Sequence, residues 1–209
     1  CGTGYWLSNI DSKNKLFGLD LSIGMLKKAA ANKGLNLLCG DANKLPVKEA
    51  KFDIVFSINA MHHFPNPKAF ILDSIKLVKT GGKFCVFATN PVATENEWYI
   101  FKYFESTYEK DRKRFPEIDE IVKWVEEAGY KNIKKEHADI VINKKNNEEI
   151  FDDTFLVKDA TSQLADISLE EYNFGINLMK NEIEKNKNLN KITEFNTILN
   201  FYLIYGEKL

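Results

Sequence analysis

The sequence predicts an α/β fold, a mostly parallel sheet assembled from βαβ units within a single domain spanning 1–209. Three observations carry that expectation. Short apolar runs alternate with helix-periodic segments through the first two-thirds of the chain. The runs Leu16–Asp20 and Leu35–Gly40-Asp41 each end in an acid, as strands do whose tips carry polar work. The run Phe52 to Ile58 is the most continuous, the pattern of a strand covered on both faces. A length of 209 residues, 44% of them hydrophobic and 28% charged, suits one globular core. No apolar run approaches the ~18 residues of a membrane span. The 29 basic and 30 acidic residues give a net charge of −1, so no bulk field favours nucleic acid or an acidic membrane. Of the basic residues only Arg112 and Arg114 are arginine.

The elements follow in order. Cys1-Gly2-Thr3-Gly4 is a glycine-rich turn of the kind that follows a strand, with a short helix from Tyr5 to Ile10 behind it. Leu16 to Asp20 reads as a strand. Ser22 is placed to cap a helix over Ile23 to Lys33, which Gly34 stops. Leu35 to Cys39 is the next strand and Phe52 to Ile58 the one after. Pro67 suits the first turn of a helix to about Lys79, ended by Gly81-Gly82, and Lys83 to Thr89 is a further strand. Beyond Pro91 the alternation loosens. Glu95 to Tyr108 is an aromatic-rich helical stretch. After Pro116 a helix places Ile118, Ile121, Val122 and Val125 on one stripe and stops at Gly129. Ile133 to Ile142 reads as extended, and Asn143 to Asp166 as irregular and polar. Ser168-Leu169-Glu170-Glu171 is a capping box for a helix presenting Tyr172, Ile176, Met179 and Ile183. Lys185 to Lys191 reads as a solvated linker before a last strand, Ile198 to Tyr205. The three cysteines lack metal-ligand spacing. Cys39 and Cys85 are expected as reduced, buried thiols, which fits a reducing cytoplasm, and no metal site is expected.

Four features come in a fixed order. Gly2-Thr3-Gly4 lets backbone approach a ligand closely. Asp20 ends the next strand, where a carboxylate can accept from two ribose hydroxyls at once. Asp41 ends the third, where it could accept from an adenine amino group while the N–H of Ala42 donates to the ring; Met25 could lend that ring an apolar face. Asn59 ends the fourth strand and leads into Ala60-Met61-His62-His63. Each alone has an ordinary structural explanation, a cap, a turn or a core contact. Their joint spacing is what points to nucleotide binding.

The combination resembles the class I S-adenosylmethionine-dependent methyltransferases. It is carried by Cys1-Gly-Thr-Gly4, Gly18-Leu-Asp-Leu-Ser22 with Met25-Leu26, and Gly40-Asp-Ala42 with Leu45-Pro46. Phe52-Asp-Ile-Val55, Asn59-Ala-Met-His-His63 and Leu77-Val-Lys-Thr-Gly-Gly82 complete it. Within the class the chain is most similar to the small-molecule branch of ubiquinone and menaquinone biosynthesis. The resemblance implies a Rossmann-like doubly wound sheet of seven strands, the last antiparallel. It implies that Gly2, Thr3 and Gly4 hold the methionine part of S-adenosylmethionine, Asp20 and Leu21 the ribose, and Met25, Asp41 and Ala42 the adenine, with Asn59 alongside. S-adenosylhomocysteine would be the product. His62 or His63 would act as base or anchor for a small-molecule acceptor, aromatic or apolar. Residues 1–90 would form the cofactor-binding half, and 91–128 and 143–186 would cover the acceptor. The family's first strand has no counterpart in the chain, so the natural protein is expected to continue upstream by a short helix and an apolar strand.

Alternatives are a tRNA-modifying methyltransferase, which would want a basic face, and a non-catalytic S-adenosylmethionine-binding module. A nicotinamide enzyme is disfavoured because a third glycine of that fingerprint is replaced by Leu7, and an arsenic methyltransferase would need several thiols at the site. Acceptor identity and oligomeric state are not encoded in these motifs.

Overall fold

The computed structural model describes residues 1–11, 13–45 and 51–209. Its first half repeats strand and helix: α1 (Tyr5–Ser8), β1 (Leu16–Asp20), α2 (Ile23–Ala29), β2 (Leu35–Cys39), β3 (Phe52–Ile58), α3 (Pro67–Ser74) and β4 (Val78–Ala88). Local chemistry sets the helix starts. The Ser22 hydroxyl accepts from the Met25 N–H at 3.2 Å, and the Asn66 side chain accepts from the Ala69 N–H at 2.9 Å with Pro67 in the first turn. The second half holds β5 (Glu97–Trp98), α4 (Ile100–Tyr103), α5 (Glu105–Arg114), α6 (Ile118–Glu127), β6 (Lys131–Asn146), α7 (Ser162–Ala165), α8 (Leu169–Asn188) and β7 (Glu194–Glu207).

β1 and β2 pair in parallel, as do β3 and β4. β7 runs antiparallel to β4, β5 and β6, so the last strand is antiparallel as expected; among the described residues the strands form a parallel two-stranded sheet, β1-β2, and a five-stranded sheet, β3-β4-β7-β5 with β6 on β7. Two cores flank it. Phe84, Val86 and Ile204 of the sheet pack with Ile71 of α3, Ile121 and Val125 of α6, and Tyr130, whose hydroxyl lies 2.9 Å from the Ser74 hydroxyl. The second core is aromatic: Trp98, Tyr99, Tyr103, Phe104 and Phe195 close on Ile150, Leu156, Leu164 and Met179.

Several expectations are corrected. β3 is not covered on both faces: Val55 packs into the helix-covered core, but Ile54, on the opposite face by strand alternation, is 55% exposed. Among the described residues β3 pairs only with β4, and β1 only with β2. Cys39, the last residue of β2, is exposed, and Cys85, on β4, is half-buried. Gly81-Gly82 does not stop a helix. It lies within β4 at an irregularity where the ladder jumps from Phe52↔Val78 to Ile54↔Lys83. A Cβ at Gly82 would come within 2.8 Å of the Asp53 carbonyl oxygen, so only glycine permits that approach. The aromatic stretch after Pro91 breaks at Phe104 into α4 and α5. The predicted linker from Lys185 is the last turn of α8, which runs on to Asn188.

Candidate functional site

The glycine turn is held to the tip of β1 by Asp20. One carboxylate oxygen accepts from the Gly2 N–H at 2.7 Å, the other from the Ser22 N–H at 2.8 Å. Gly2 and Gly4 sit at φ 59° and 76°. A Cβ on Gly4 would press on Leu35 at 3.0 Å and Ala29 at 3.2 Å, so the turn lies flat against α2 and β2. The Asn32 amide donates to the Thr3 carbonyl at 3.1 Å and pins its far side.

Asp41 lies on the neighbouring tip. In the β1/β2 ladder Asp20 faces Cys39, and the Gly40 N–H donates to the Asp20 carbonyl at 3.0 Å. One Asp41 oxygen accepts from the Asn43 N–H at 2.8 Å. Asn43 in turn exchanges hydrogen bonds with the Asn66 backbone, at 2.6 and 3.3 Å, which fixes the loop carrying Ala42 to the start of α3. The second Asp41 oxygen makes no hydrogen bond among the described residues. Met25 is 40% and Leu21 73% exposed, both beside these tips. Pro46 lies outside the described residues.

At the tip of β3, Asn59 takes a left-handed φ of 42° and donates its N–H to the Phe87 carbonyl at 2.8 Å. A single helical turn, Met61–His63, follows, anchored by the buried Met61. His62 stacks on Phe115 with ring centres 4.1 Å apart and planes 18° apart, and the His63 ring lies 4.0 Å from it. Burial, reinforced by His63 and Arg114, lowers the His62 pKa to about 3. His63 is lowered by burial and then by Arg114, while Asp166 and Asp20 pull the other way. The two imidazoles thus differ: His62 is a neutral stacking surface, and His63 is in electrostatic reach of the Asp20 end.

Sequence reasoning missed the residues that join this edge to the second core. Arg114, at the end of α5, donates Nε to Asp111 at 2.8 Å, one terminal nitrogen to Asp166 at 3.1 Å and the other to Ser162 at 2.9 Å. Asp111 is fully buried and accepts from the Gln163 amide at 2.6 Å. The available signal was composition: a lone arginine pair in a lysine-rich chain marks a place where a planar fork of donors does what an ammonium cannot. Phe115 and Thr89, which line a narrow cleft with Asn59, Met61, His62 and Phe87, gave no signal of their own. Among the described residues no group of three or more His, Cys, Asp or Glu side chains is placed to hold a metal.

A glycine turn lies beside two acids on the adjacent parallel tips of β1 and β2, and a half-buried histidine wall stands at the tip of β3. Residues 1–86 match the methyltransferase domain family. The resemblance read from the motifs is borne out at that level. A chloroplastic 2-methyl-6-phytyl-1,4-hydroquinone methyltransferase of rice (Oryza sativa subsp. japonica) is 28% identical over 140 residues, 64% of this chain and 40% of its own length. The phthiotriol/phenolphthiotriol dimycocerosates methyltransferase of Mycobacterium tuberculosis is 34% identical over 70 residues, 32% of this chain and 26% of its own. The chain thus spans about two-fifths of the first of these relatives and about a quarter of the second. In fold it is similar to a protein of Anabaena variabilis assigned as a methyltransferase of an antibiotic biosynthesis pathway, with a TM-score of 0.74 at 18% identity, covering 98% of this chain and 87% of that one. A phosphoethanolamine N-methyltransferase of Haemonchus contortus, solved with S-adenosyl-L-methionine, has a TM-score of 0.60 at 16% identity and covers 99% of this chain and 46% of its own. The methyltransferase-domain stretch ends just before the tip of β4, and α5 and α7 lie beyond it.

Proposed function

We propose that the protein transfers a methyl group from S-adenosylmethionine to a small-molecule acceptor, leaving S-adenosylhomocysteine. The observation that carries this reading is the placement of Asp20 and Asp41 on adjacent parallel tips beside a turn whose glycines take positive φ. A carboxylate offers about four acceptor positions, so Asp20 can hold the turn and still receive ribose hydroxyls. Asp41 has an oxygen with no hydrogen bond among the described residues, available to an adenine amino group, with the Ala42 N–H next to it. Gly2, Thr3 and Gly4 would cradle the methionine part, Leu21 and Met25 would give adenosine an apolar face, and Asn59 would border the donor end. S-adenosylmethionine supplies an activated methyl group. What the chain must add is orientation, worth roughly 7–11 kcal/mol in well-aligned systems, and a base where the acceptor has to lose a proton. Of the two histidines His63 suits that role better, because burial leaves His62 a weak base.

Residues 1–90 serve as the cofactor-binding half and 91–128 with 143–186 as the acceptor's cover. The aromatic core behind that cover supports a flat or apolar acceptor, as does the hydroquinone named for the rice relative. The net charge of −1 speaks for a small molecule over a nucleic acid. The described residues hold no helix long and apolar enough to cross a membrane, and free thiols suit a reducing cytoplasm.

Calorimetric titration with S-adenosylhomocysteine tests the reading. Binding should weaken about 10- to 100-fold in Asp20→Asn, the range of a hydrogen bond to a charged group, and comparably in Asp41→Asn, which leaves the glycine turn intact. No binding by the unaltered protein, or full affinity in both variants, sinks it.

A further inference from the structure

A continuous layer of side chains runs from the end of α5 to the tip of β3. The Arg114 guanidinium lies 5.4 Å from the centre of the Phe115 ring, that ring stacks on the His62 imidazole at 4.1 Å, and the His63 ring lies 4.0 Å from His62. Groups this close leave no room for water between them, so a charge at one end is poorly screened at the other. At its outer end the layer is tied to α7. One terminal nitrogen of Arg114 donates to the Asp166 carboxylate at 3.1 Å, and Lys110 donates to the Asp166 carbonyl at 2.8 Å. Asp166 closes α7, and its side chain is 57% exposed where that of Arg114 is 19% exposed. The charged groups that act on His63 come from three elements: Arg114 from α5, Asp166 from the end of α7 and Asp20 from the tip of β1. Arg114 opposes a proton on the imidazole, and the two carboxylates favour one. His62, beside it on the same turn, is uncharged near neutral pH.

We infer that Arg114 is a positioning residue for the proposed transfer: layered on the Phe115 and His62 rings, it keeps His63 in its neutral, proton-accepting form, and Asp166 sets how strongly it does so. An ordinary imidazole is still about a quarter protonated at pH 7, and the protonated fraction cannot take a proton from an acceptor. A cation held one layer away suppresses that fraction. The guanidinium suits the place because a planar fork can lie over a ring while it donates to Asp111, Ser162 and Asp166 in different directions. An ammonium is a point charge and cannot do both. The assignment rests on the methyl-transfer reading for what His63 does with a proton. The coupling of Arg114 and Asp166 to His63 stands apart from it.

NMR titration of the imidazole ring protons, with His137 on β6 as the internal reference, tests it. Asp166→Asn removes a counter-charge at an exposed position and leaves Arg114 less opposed, so the His63 midpoint should fall by about half a pH unit, less than a direct ion pair would give. Asp166→Glu should restore it, and Asp166→Lys should lower it further. The double variant Arg114→Gln with Asp111→Asn removes the cation without stranding a buried carboxylate, and should raise the midpoint by a similar amount. Opposite signs mark an effect of charge. A purely structural role would expose the imidazole to water in every variant and raise the midpoint in all of them. A midpoint that stays put or rises in Asp166→Asn overturns the inference, whether or not the double variant folds. Calorimetric titration with S-adenosylhomocysteine is run alongside: a protein whose His63 responds as stated but which does not bind S-adenosylhomocysteine keeps the coupling and refutes the methyl-transfer reading instead.

Discussion

At the scale of single residues, two adjacent histidines behave as opposites because their surroundings differ. His62 is closed in by Phe115, with Arg114 and His63 adding positive potential, so its proton is lost on folding. Its pKa is about 3 in the fold against an ordinary 6.5. Between those values the unfolded chain holds a proton that the folded chain does not, so stability rises with pH across the window and is lost as pH falls through it. One group contributes at most about 1.4 kcal/mol per pH unit. Replacing His62 with Phe preserves the stack and removes the titration. The difference in unfolding free energy between the two proteins should be flat above about pH 7 and should change steadily from about pH 6 to 4. Parallel denaturant melts at each pH check it, and a constant difference throughout would show that His62 is solvated. The sequence offered His62 and His63 as equals; only the neighbours brought by α5 and its link to α6 separate them.

At the scale of elements, α8 shows how a good helix pattern conceals a packing constraint. Its start was legible: the Ser168 hydroxyl accepts from the Glu171 N–H at 3.0 Å, and Met179 and Ile183 lie on the predicted buried face. Gly175 on that face has a cause the pattern does not contain. A Cβ there would run into the Phe104 ring and come within 2.7 Å of the Tyr103 carbonyl oxygen, because α8 crosses the break between α4 and α5 at that point. Alanine at an open helical position gains about 1 kcal/mol over glycine, but overpacking a closed contact loses about 1–3 kcal/mol. Gly175→Ala should therefore destabilise, with a lower urea midpoint, where helix propensity alone predicts the reverse. The same break explains why the aromatic stretch after Pro91 is not one helix: Phe104 turns inward as a core residue, 1% exposed.

At the scale of the whole molecule, Arg114 ties α5 to α7, and through Phe115, which stacks on His62, it reaches the tip of β3. It joins Asp111 of α5 to Ser162 of α7 and to Asp166, and its guanidinium lies over Phe115. Burial raises the pKa of Asp111, and hydrogen bonding from Gln163 with the charge of Arg114 works against that rise. Arg114→Ala leaves a buried carboxylate without its counter-charge and should lose about 3–5 kcal/mol. Arg114→Lys should recover little, since an ammonium cannot meet three partners in different directions. Adding Asp111→Asn to Arg114→Ala should restore part of the loss by removing the stranded charge. Thermal melts of the four proteins read this directly; an Arg114→Ala protein as stable as the original would mean that α5 and α7 are joined by other contacts.

Patterns that act over a few residues were determined by the sequence itself: the alternation that makes βαβ units, the caps at Ser22 and Ser168, the glycine turn, and the acids at 20 and 41 that end neighbouring strands. Each depends on backbone geometry within one or two turns of chain, so its signal is local. The tertiary structure alone decided which face of β3 is covered, that Cys39 is exposed, that Gly81-Gly82 serves a strand irregularity, and that Phe115 lies on His62. Those outcomes depend on contacts between residues dozens of positions apart, formed only when separate elements compete for the same apolar surface, and no window of sequence contains both partners.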